Sequence, residues 1–323
     1  SIDLVQISNV KLTNSLTISS PLLKSLRKSI FVGLSDILEL KLVSCGIESI
    51  ENASFEGLDN LVKLDLSLNQ IESVKNLDLS NLDKLRILDL SLNKIESLKN
   101  LVFSTQVRHL KKLYLNNNPI KLIGNVDFIG FDKLYFLALN GMKEISTDPI
   151  QLNGLRYLRE LELEKSFNST LNTDYESFFI NRLHNLKKLK ITNFRYLTLT
   201  NILLNDSNHM ERLEILSTKL KNVDFSFIHS LKSLKSLVTH NRLPIDSFKF
   251  APLLNLKLLE IALSKAVETF HIIISLEMGN NLEHLVVDLQ TNGQGKIIEI
   301  ENGENIRSLS LRNCGIQLFL ILI

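Results

Sequence analysis

The feature that most constrains this chain is a phrase of spaced leucines that returns about every 24 residues. It reads Leu-x-x-Leu-x-Leu-x-x-Asn-x-Ile-x-x-Leu, and its best copy covers residues 85–98. Further copies start at Leu61 and Leu110. A fixed period of this length is the signature of a solenoid, in which each copy forms one turn that stacks on the next. The phrase therefore predicts an elongated protein made of stacked turns.

The repeat covers nearly the whole chain, so we expect one domain over residues 1–323, in which residues 1–12 form an N-terminal edge. A chain of this length would otherwise suggest about two domains. We place thirteen copies, starting at Thr13, Ile37, Leu61, Leu85, Leu110, Leu134, Leu158, Leu186, Met210, Leu234, Leu256, Leu282 and Ile306.

Within each copy, the alternation of apolar and polar residues predicts a short strand with one buried face. Leu64 and Leu66 should point into the core, whereas Lys63, Asp65 and Ser67 should point away from it. Stacked copies would align these strands into a parallel sheet. The third, fifth, seventh and eighth positions of each copy then form the surface available for binding. Over most of the chain we expect these positions to hold ordinary solvated residues.

The ninth position of the phrase predicts a ladder of side chains where the chain leaves the sheet. Asn69, Asn93 and Asn118 occupy it in successive copies, and their amides can bond to main-chain groups that no strand serves. Cys45 and Cys314 fall at the same position. Eleven turns at roughly 4.8 Å each separate the two thiols by about 50 Å, far beyond disulfide reach. We therefore expect both to be buried, reduced and unpaired within the chain.

The second half of each copy carries apolar residues that predict a core ridge along the outer side. Five pairs recur at the same two positions: Phe55 and Leu58, Leu79 and Leu82, Phe128 and Phe131, Leu152 and Leu155, and Ile180 and Leu183. This regular recurrence favours a packing role for the phenylalanines over ligand contact.

A repeat of about 24 residues with this Phe-x-x-Leu second half resembles the "typical" leucine-rich-repeat class, most closely from Ile37 to Ile123. The resemblance implies an α/β solenoid shaped like a horseshoe, with a parallel sheet on the concave face and irregular or short helical segments on the convex face. The class occurs mainly in animal extracellular proteins, including Toll-like receptor ectodomains and secreted arthropod immune proteins. Toll-like receptors usually seal both solenoid ends with cysteine clusters, and this sequence has neither cluster.

The charge balance excludes several partners. With 37 basic and 35 acidic residues the formal net charge is +2, which gives no reason to expect nucleic acid or a membrane surface as a partner.

No run of about 18 apolar residues predicts a membrane span. The chain starts without a charged-then-apolar leader. No polar segment follows Phe319, so we expect further chain or a partner to cover that end.

The sequence contains no recognisable catalytic or metal-binding motif. None of its seven histidines has a close ligand spacing, and the lone Gly293-x-Gly295 fits a turn better than a phosphate loop. We therefore expect neither enzymatic activity nor a cofactor. Three sequons place candidate glycosylation sites at Asn52, Asn168 and Asn205.

A candidate binding patch lies in the middle of the predicted sheet. Tyr114 and Phe136 come from adjacent copies at outward positions, and Glu162, Lys190 and Arg212 continue the same face. Exposed aromatic residues beside charges are typical of interface hot spots. The alternative is that Glu162 and Lys190 only neutralise each other across neighbouring strands.

These observations favour a non-enzymatic module that recognises a protein or peptide, as an extracellular receptor ectodomain of innate-immune type or a secreted binding protein. Homo- or heterodimer formation stays open. One alternative is an intracellular scaffold or adaptor in the cytoplasm built on the same repeat. Another is the regulatory repeat region of a larger enzyme.

Overall fold

A computed structural model describes the fold in two compact units, residues 1–173 with 178–183 and residues 174–177 with 184–323. The residues it describes are 14–98, 108–120, 128, 130–142, 150–152, 154–165, 178–179, 183–193, 209–216, 231–243, 248–249, 255–263, 271–276, 280–288, 296–312 and 318–322.

The first unit is built around a parallel sheet with the order β1-β3-β5-β6-β7-β8-β10. Two smaller parallel pairs, β2-β4 and β9-β11, belong to the outer halves of the turns. The strands of this unit among the described residues are β1 (Ser15–Ile18), β2 (Ser25–Leu26), β3 (Glu39–Leu42), β4 (Ser49–Ile50), β5 (Lys63–Asp65), β6 (Ile87–Asp89), β7 (Lys112–Tyr114), β8 (Phe136–Met142), β9 (Ile150–Gln151), β10 (Glu160–Lys165) and β11 (Phe178–Phe179).

The second unit carries two parallel sheets, with the orders β12-β13-β14-β16-β18-β20 and β15-β17-β19-β21. Its strands among the described residues are β12 (Lys188–Thr192), β13 (Arg212–Leu216), β14 (Ser236–Leu243), β15 (Phe248–Lys249), β16 (Leu258–Leu263), β17 (His271–Ser275), β18 (His284–Asp288), β19 (Lys296–Glu301), β20 (Ser308–Arg312) and β21 (Leu318–Leu322).

The register of the main sheets follows the repeat. Each of the thirteen main strands begins at the third residue of a predicted copy, from Ser15 to Ser308. Equivalent leucines stand opposite each other, so Leu88 pairs with Leu64 on one side and with Leu113 on the other. The predicted parallel-stranded solenoid is confirmed.

The predicted core is also found. Inward leucines of the strands, such as Leu64, Leu66 and Leu88, are fully buried. The outer ridge is buried as well, and the rings of Phe31 and Phe55 stack with centroids 6.0 Å apart. Of the ridge residues, Ile180 lies outside the described residues. Burial of apolar rows on both sides of each turn holds successive turns together.

The asparagine ladder forms as predicted. The Asn69 Oδ1 accepts the main-chain N–H groups of Cys45 (3.0 Å) and Ile47 (3.1 Å). Its Nδ2 donates to the carbonyl oxygens of Leu42 (2.7 Å) and Leu66 (2.9 Å). One side chain thus bonds to its own turn and to the turn before it.

Cys45 takes the same position one turn earlier, and the prediction for its thiol is confirmed. It is fully buried and free, and its Sγ donates to the carbonyl oxygen of Ile18 at 3.1 Å. Burial raises the pKa of this thiol, because the thiolate would lose its hydration. Cys314 lies outside the described residues.

The outer side contains short strands in addition to the irregular segments that the resemblance implied. Within the described residues it contains turns and short strands and no helix. In the second unit, the strands Lys296–Glu301 and Leu318–Leu322 continue a parallel outer sheet. Their sequences, Lys-Ile-Ile-Glu-Ile-Glu and Leu-Phe-Leu-Ile-Leu, are rich in residues that favour strands, which explains the second sheet. No described helix is long and apolar enough to cross a membrane.

Candidate functional site

The two aromatic residues of the candidate patch lie side by side. The ring centroids of Tyr114 and Phe136 are 4.9 Å apart, and the rings are tilted by 43°. Register explains the contact, because Tyr114 stands opposite Ala138 and Phe136 stands opposite Lys112. The small side chain of Ala138 leaves space for the Tyr114 ring to lean toward Phe136.

Phe136 is less open than an outward position suggests. Only 9% of its surface is exposed, whereas Tyr114 is half-buried. The Lys112 ammonium lies 5.7 Å from the centroid of the Phe136 ring and 5.6 Å from that of Tyr135. Lys112 and Tyr114 therefore cover much of Phe136. The sequence could have indicated that Phe136 is covered, because Lys112 has a long side chain and occupies the same repeat position as Phe136 in the preceding turn.

The charged residues of the candidate patch divide between the two units. In the first unit, Glu162 stands opposite Ala138 and accepts a hydrogen bond of 3.2 Å from the Asn140 side chain. In the second unit, Lys190 stands opposite Glu214, and Arg212 forms an ion pair with the same glutamate. Arg212 therefore already has a counter-charge on its own strand.

Two carboxylates lie in the row that leads to Tyr114, where sequence analysis expected ordinary solvated residues. Asp65 and Asp89 stand opposite each other, and Tyr114 follows opposite Asp89. The N–H of Ser91 donates to the Asp89 Oδ1 at 2.8 Å, and only 7% of Ser91 is exposed. Burial raises the pKa of Asp89. The expectation was wrong for Ser91, which is buried, whereas Asp89 is half-buried and still reaches the surface.

Sequence reasoning missed two exposed leucines beside this row. Leu68 and Leu92 are 47% and 44% exposed and have left-handed backbones, with φ of 58° and 55°. Each N–H donates to the next turn, Leu68 to the Ser91 oxygen (3.0 Å) and Leu92 to the Asn116 oxygen (2.7 Å). These bonds hold the backbone in a conformation that leucine rarely adopts. The eighth position of the phrase indicates where such residues occur.

Of the three candidate glycosylation sites, Asn52 lies within the described residues. Asn52 is exposed in an outer turn, while Ser54 of the same sequon is fully buried. The Ser54 hydroxyl bonds to the carbonyl oxygens of Leu26 (3.0 Å) and Glu51 (2.5 Å). Asn168 and Asn205 lie outside the described residues. The packing role of Ser54 explains its presence without a glycan.

Metal-binding geometry is not found in the part of the chain that the structure describes. There, no group of three or more His, Cys, Asp or Glu side chains could hold a metal ion. The candidate site is instead a mixed surface of the half-buried Tyr114 ring, two carboxylates, a lysine and two leucines.

Repeated parallel strands, inward leucine rows and asparagines at the ninth position define a leucine-rich-repeat solenoid. Residues 11–71, 39–95 and 83–142 match the leucine-rich-repeat family, which agrees with this class. The chain therefore has the leucine-rich-repeat fold, and the family match covers its residues 11–142. No curated protein matches it at a significant level.

Solved leucine-rich-repeat structures share its fold at low sequence identity. The leucine-rich repeat domain of APL1B has a TM-score of 0.61 at 16% identity, over 89% of this chain and 83% of that one. An internalin, InlF of Listeria monocytogenes, has a TM-score of 0.56 at 18% identity, over 98% and 88%. TLR13 in its complex with ssRNA13 has a TM-score of 0.57 at 22% identity, over 88% of this chain. This chain spans about half (51%) of the TLR13 chain.

Proposed function

We propose that this chain binds a protein or peptide ligand through the outward face of the sheet around Tyr114 and Phe136, without catalysis. The observation that carries the proposal is the ring pair itself, with 4.9 Å between centroids, on the neighbouring strands β7 and β8 of that face. Leucine-rich-repeat proteins are generally non-enzymatic binding proteins, and their stacked strands offer an extended surface.

The surroundings of the ring pair support a protein ligand. Tyrosine is enriched at interfaces because one end of its side chain is apolar and the other can form a hydrogen bond. The exposed side chain of Leu92 adds apolar surface, and Lys112 and Asp89 add both signs of charge. Apolar anchors with charges around them provide affinity together with orientation.

A photo-crosslinking phenylalanine analogue placed at Tyr114 tests the proposal and identifies the ligand. The same analogue at Val32, an exposed residue in an outer turn, is the matched control. We expect a protein that crosslinks from the position of Tyr114 and not from that of Val32. A ligand that crosslinks equally from both positions would contradict a site on the sheet face.

The purified ligand then allows an affinity measurement. Tyr114→Ala should weaken binding by about tenfold, or ~1–2 kcal/mol, because it removes the aromatic anchor. Leu22→Ala removes another exposed apolar side chain and should change affinity by less than about twofold. Isothermal titration calorimetry measures both. Phe136→Ala is a poorer test, since loss of a largely covered ring also lowers folding stability.

An extracellular setting, as a receptor ectodomain or secreted binding protein of innate-immune type, is part of the proposal. It is supported by the resemblance to the typical 24-residue class and by the exposed sequon asparagine Asn52. The resemblances to TLR13 and APL1B structures support the fold and leave the setting to experiment.

A further inference from the structure

Two columns of side chains run along one flank of the turns, immediately before each main strand. One column holds the second residue of each copy, and the other holds the residue just before the first. The first residue is buried between them, as Leu85 is between Lys84 and Arg86. Both columns therefore face outward on the same side.

In the second unit, the flank neutralises its own charge. Glu211 lies 2.8 Å from the Lys187 ammonium and 3.1 Å from that of Lys235. These contacts lower the pKa of Glu211, with the hydrogen bond from Lys187 as the largest cause. Lys257 (3.0 Å) and Arg307 (3.4 Å) bind Glu283 in the same way. The other column is formed by Asn185, His209, Ser233, Asn255, Asn281 and Asn305.

In the first unit, the same columns contain no carboxylate across four turns. We call this surface the cationic strip, formed by Lys84, Arg86, His109, Lys111, Lys133, Tyr135, Tyr157 and Arg159. The Lys84 Nζ donates to the Asn60 Oδ1 (2.6 Å), and the Lys133 Nζ lies 3.0 Å from the Nδ1 of the His109 ring.

Two aspartates next to the cationic strip do not neutralise it. Asp83 comes directly before Lys84 of the strip, and Asp132 comes directly before Lys133. Neither carboxylate forms an ion pair with another described residue. Arg86 donates to the main-chain oxygens of Asp83 and Leu85, both at 3.0 Å. A carbonyl oxygen carries no full charge, so the strip keeps a net positive charge.

The cationic strip adjoins the ring pair of Tyr114 and Phe136. The Lys112 ammonium lies 5.6 Å from the ring centroid of Tyr135 in the strip and 5.7 Å from that of Phe136 in the patch. Tyr157, at the far end of the strip, is 59% exposed. A ligand seated on Tyr114 would reach the strip by passing over Lys112.

We infer that the cationic strip binds an acidic segment of the protein ligand whose apolar part contacts Tyr114. The inference rests on the proposed function and adds the chemistry of the ligand. The three spacings between four turns, at roughly 4.8 Å each, span about 15 Å, the length of a short extended peptide. A nucleic acid is a weaker candidate, because the chain's formal net charge is only +2 and tight binding requires many phosphate contacts.

The test uses fluorescence anisotropy with three probes and the whole chain. The first is a peptide of about 14 residues that alternates Glu and Ser, long enough to cover the strip. The second replaces every Glu with Gln, and the third is an oligothymidine of the same number of charges. We expect the Glu peptide to bind, with an affinity that falls at least tenfold between about 50 and 200 mM NaCl. The Gln peptide should not bind.

Two triple variants locate the binding. The strip variant carries Arg86→Gln, Lys111→Gln and Arg159→Gln. The control removes the same charge from the paired flank of the second unit: Lys187→Gln, Lys235→Gln and Lys257→Gln. The strip variant should bind the Glu peptide at least ~tenfold more weakly, and the control less than ~twofold. Thermal unfolding followed by circular dichroism checks that both variants fold.

Each adverse result has its own meaning. Equal losses in both variants, or no loss in either, would overturn the cationic strip as the binding surface. Tighter binding of oligothymidine than of the Glu peptide would overturn an acidic protein segment in favour of nucleic acid. Loss of peptide binding in the strip variant, combined with full binding of the crosslinked ligand by Tyr114→Ala, would contradict the proposed function while the strip still binds acidic peptides.

Discussion

At the scale of single residues, a few polar side chains inside the turns carry much of the structure. The Asn93 Oδ1 accepts from the N–H of Ile71 (3.0 Å), and its Nδ2 donates to the oxygens of Leu66 (2.9 Å) and Leu90 (3.0 Å). Buried main-chain groups without partners are costly, and here one amide serves three of them. The ladder is therefore a structural requirement of the turn.

Asn93→Ala should lower the free energy of unfolding by about 3 kcal/mol, because it leaves buried main-chain groups without partners. Urea unfolding monitored by circular dichroism measures the loss. Asn76→Ala, at an exposed asparagine, is the control and should change stability by less than about 0.5 kcal/mol. Equal stability of the two variants would contradict the role of the ladder.

Asp89 gives a prediction that depends on pH. Burial raises its pKa, so the folded protein holds the carboxyl proton more tightly than the unfolded chain does. The cost of the charge is absent below the ordinary aspartate pKa, grows as the pH approaches the raised value, and is complete above it.

Asp89→Asn should therefore raise the melting temperature at neutral pH, since the amide oxygen can still accept the Ser91 N–H without carrying a charge. The gain should disappear when the pH falls below the ordinary range of aspartate. Differential scanning calorimetry across this pH range checks both expectations. A gain that stayed constant with pH would show that the charge of Asp89 is not its cause.

At the scale of the turn, a left-handed residue occupies the eighth position of the repeat in six of the described turns, at Ser44, Leu68, Leu92, Asn117, Gly141 and Asn193. Gly141 has this conformation with φ of 79°, and a Cβ there would clash with the side chain of Asn117 in the preceding turn. Leu92 has the same conformation with a side chain that protrudes into solvent. These six turns share the left-handed backbone at the eighth position, whereas the free-energy cost of that conformation depends on which residue adopts it.

Gly141→Ala should destabilise the protein by about 1–3 kcal/mol, because it adds both backbone strain and the clash with Asn117. Leu92→Asn should instead be neutral or stabilise it by up to about 1 kcal/mol, since asparagine tolerates this conformation. Chemical unfolding of both variants measures the contrast. A loss in Leu92→Asn as large as that in Gly141→Ala would remove backbone conformation as the explanation.

At the scale of the whole molecule, the proposed extracellular setting makes a prediction about covalent modification. Expression in a secretory host should place a glycan on the exposed Asn52, which Asn52→Gln removes as one glycan mass in intact-protein mass spectrometry. Asn60→Gln, outside any sequon, should leave the mass unchanged apart from the substitution. Efficient folding only in the reducing cytosol, with aggregation on secretion, would favour the scaffold alternative.

The sequence predicted the core far better than the surface. A row of buried leucines permits one register, so the third residue of every copy, from Ser15 to Ser308, marked the start of a strand. The cover on Phe136 depends on Lys112 in another turn, and the outer sheet depends on pairing between turns. The cationic strip likewise could not be predicted from the net charge of +2, because a net charge does not record where each charged side chain lies.

The common starting point of the main strands has a consequence for how such a protein can change over generations. A recombination event that duplicates one turn copies the apolar residues of that turn together with its flank residues. The copied turn would enter the stack in phase and extend both the interior and the columns of surface charge by one step. Selection on the reach of a binding surface can therefore act on whole turns, while substitutions inside a turn adjust which ligand that surface accepts.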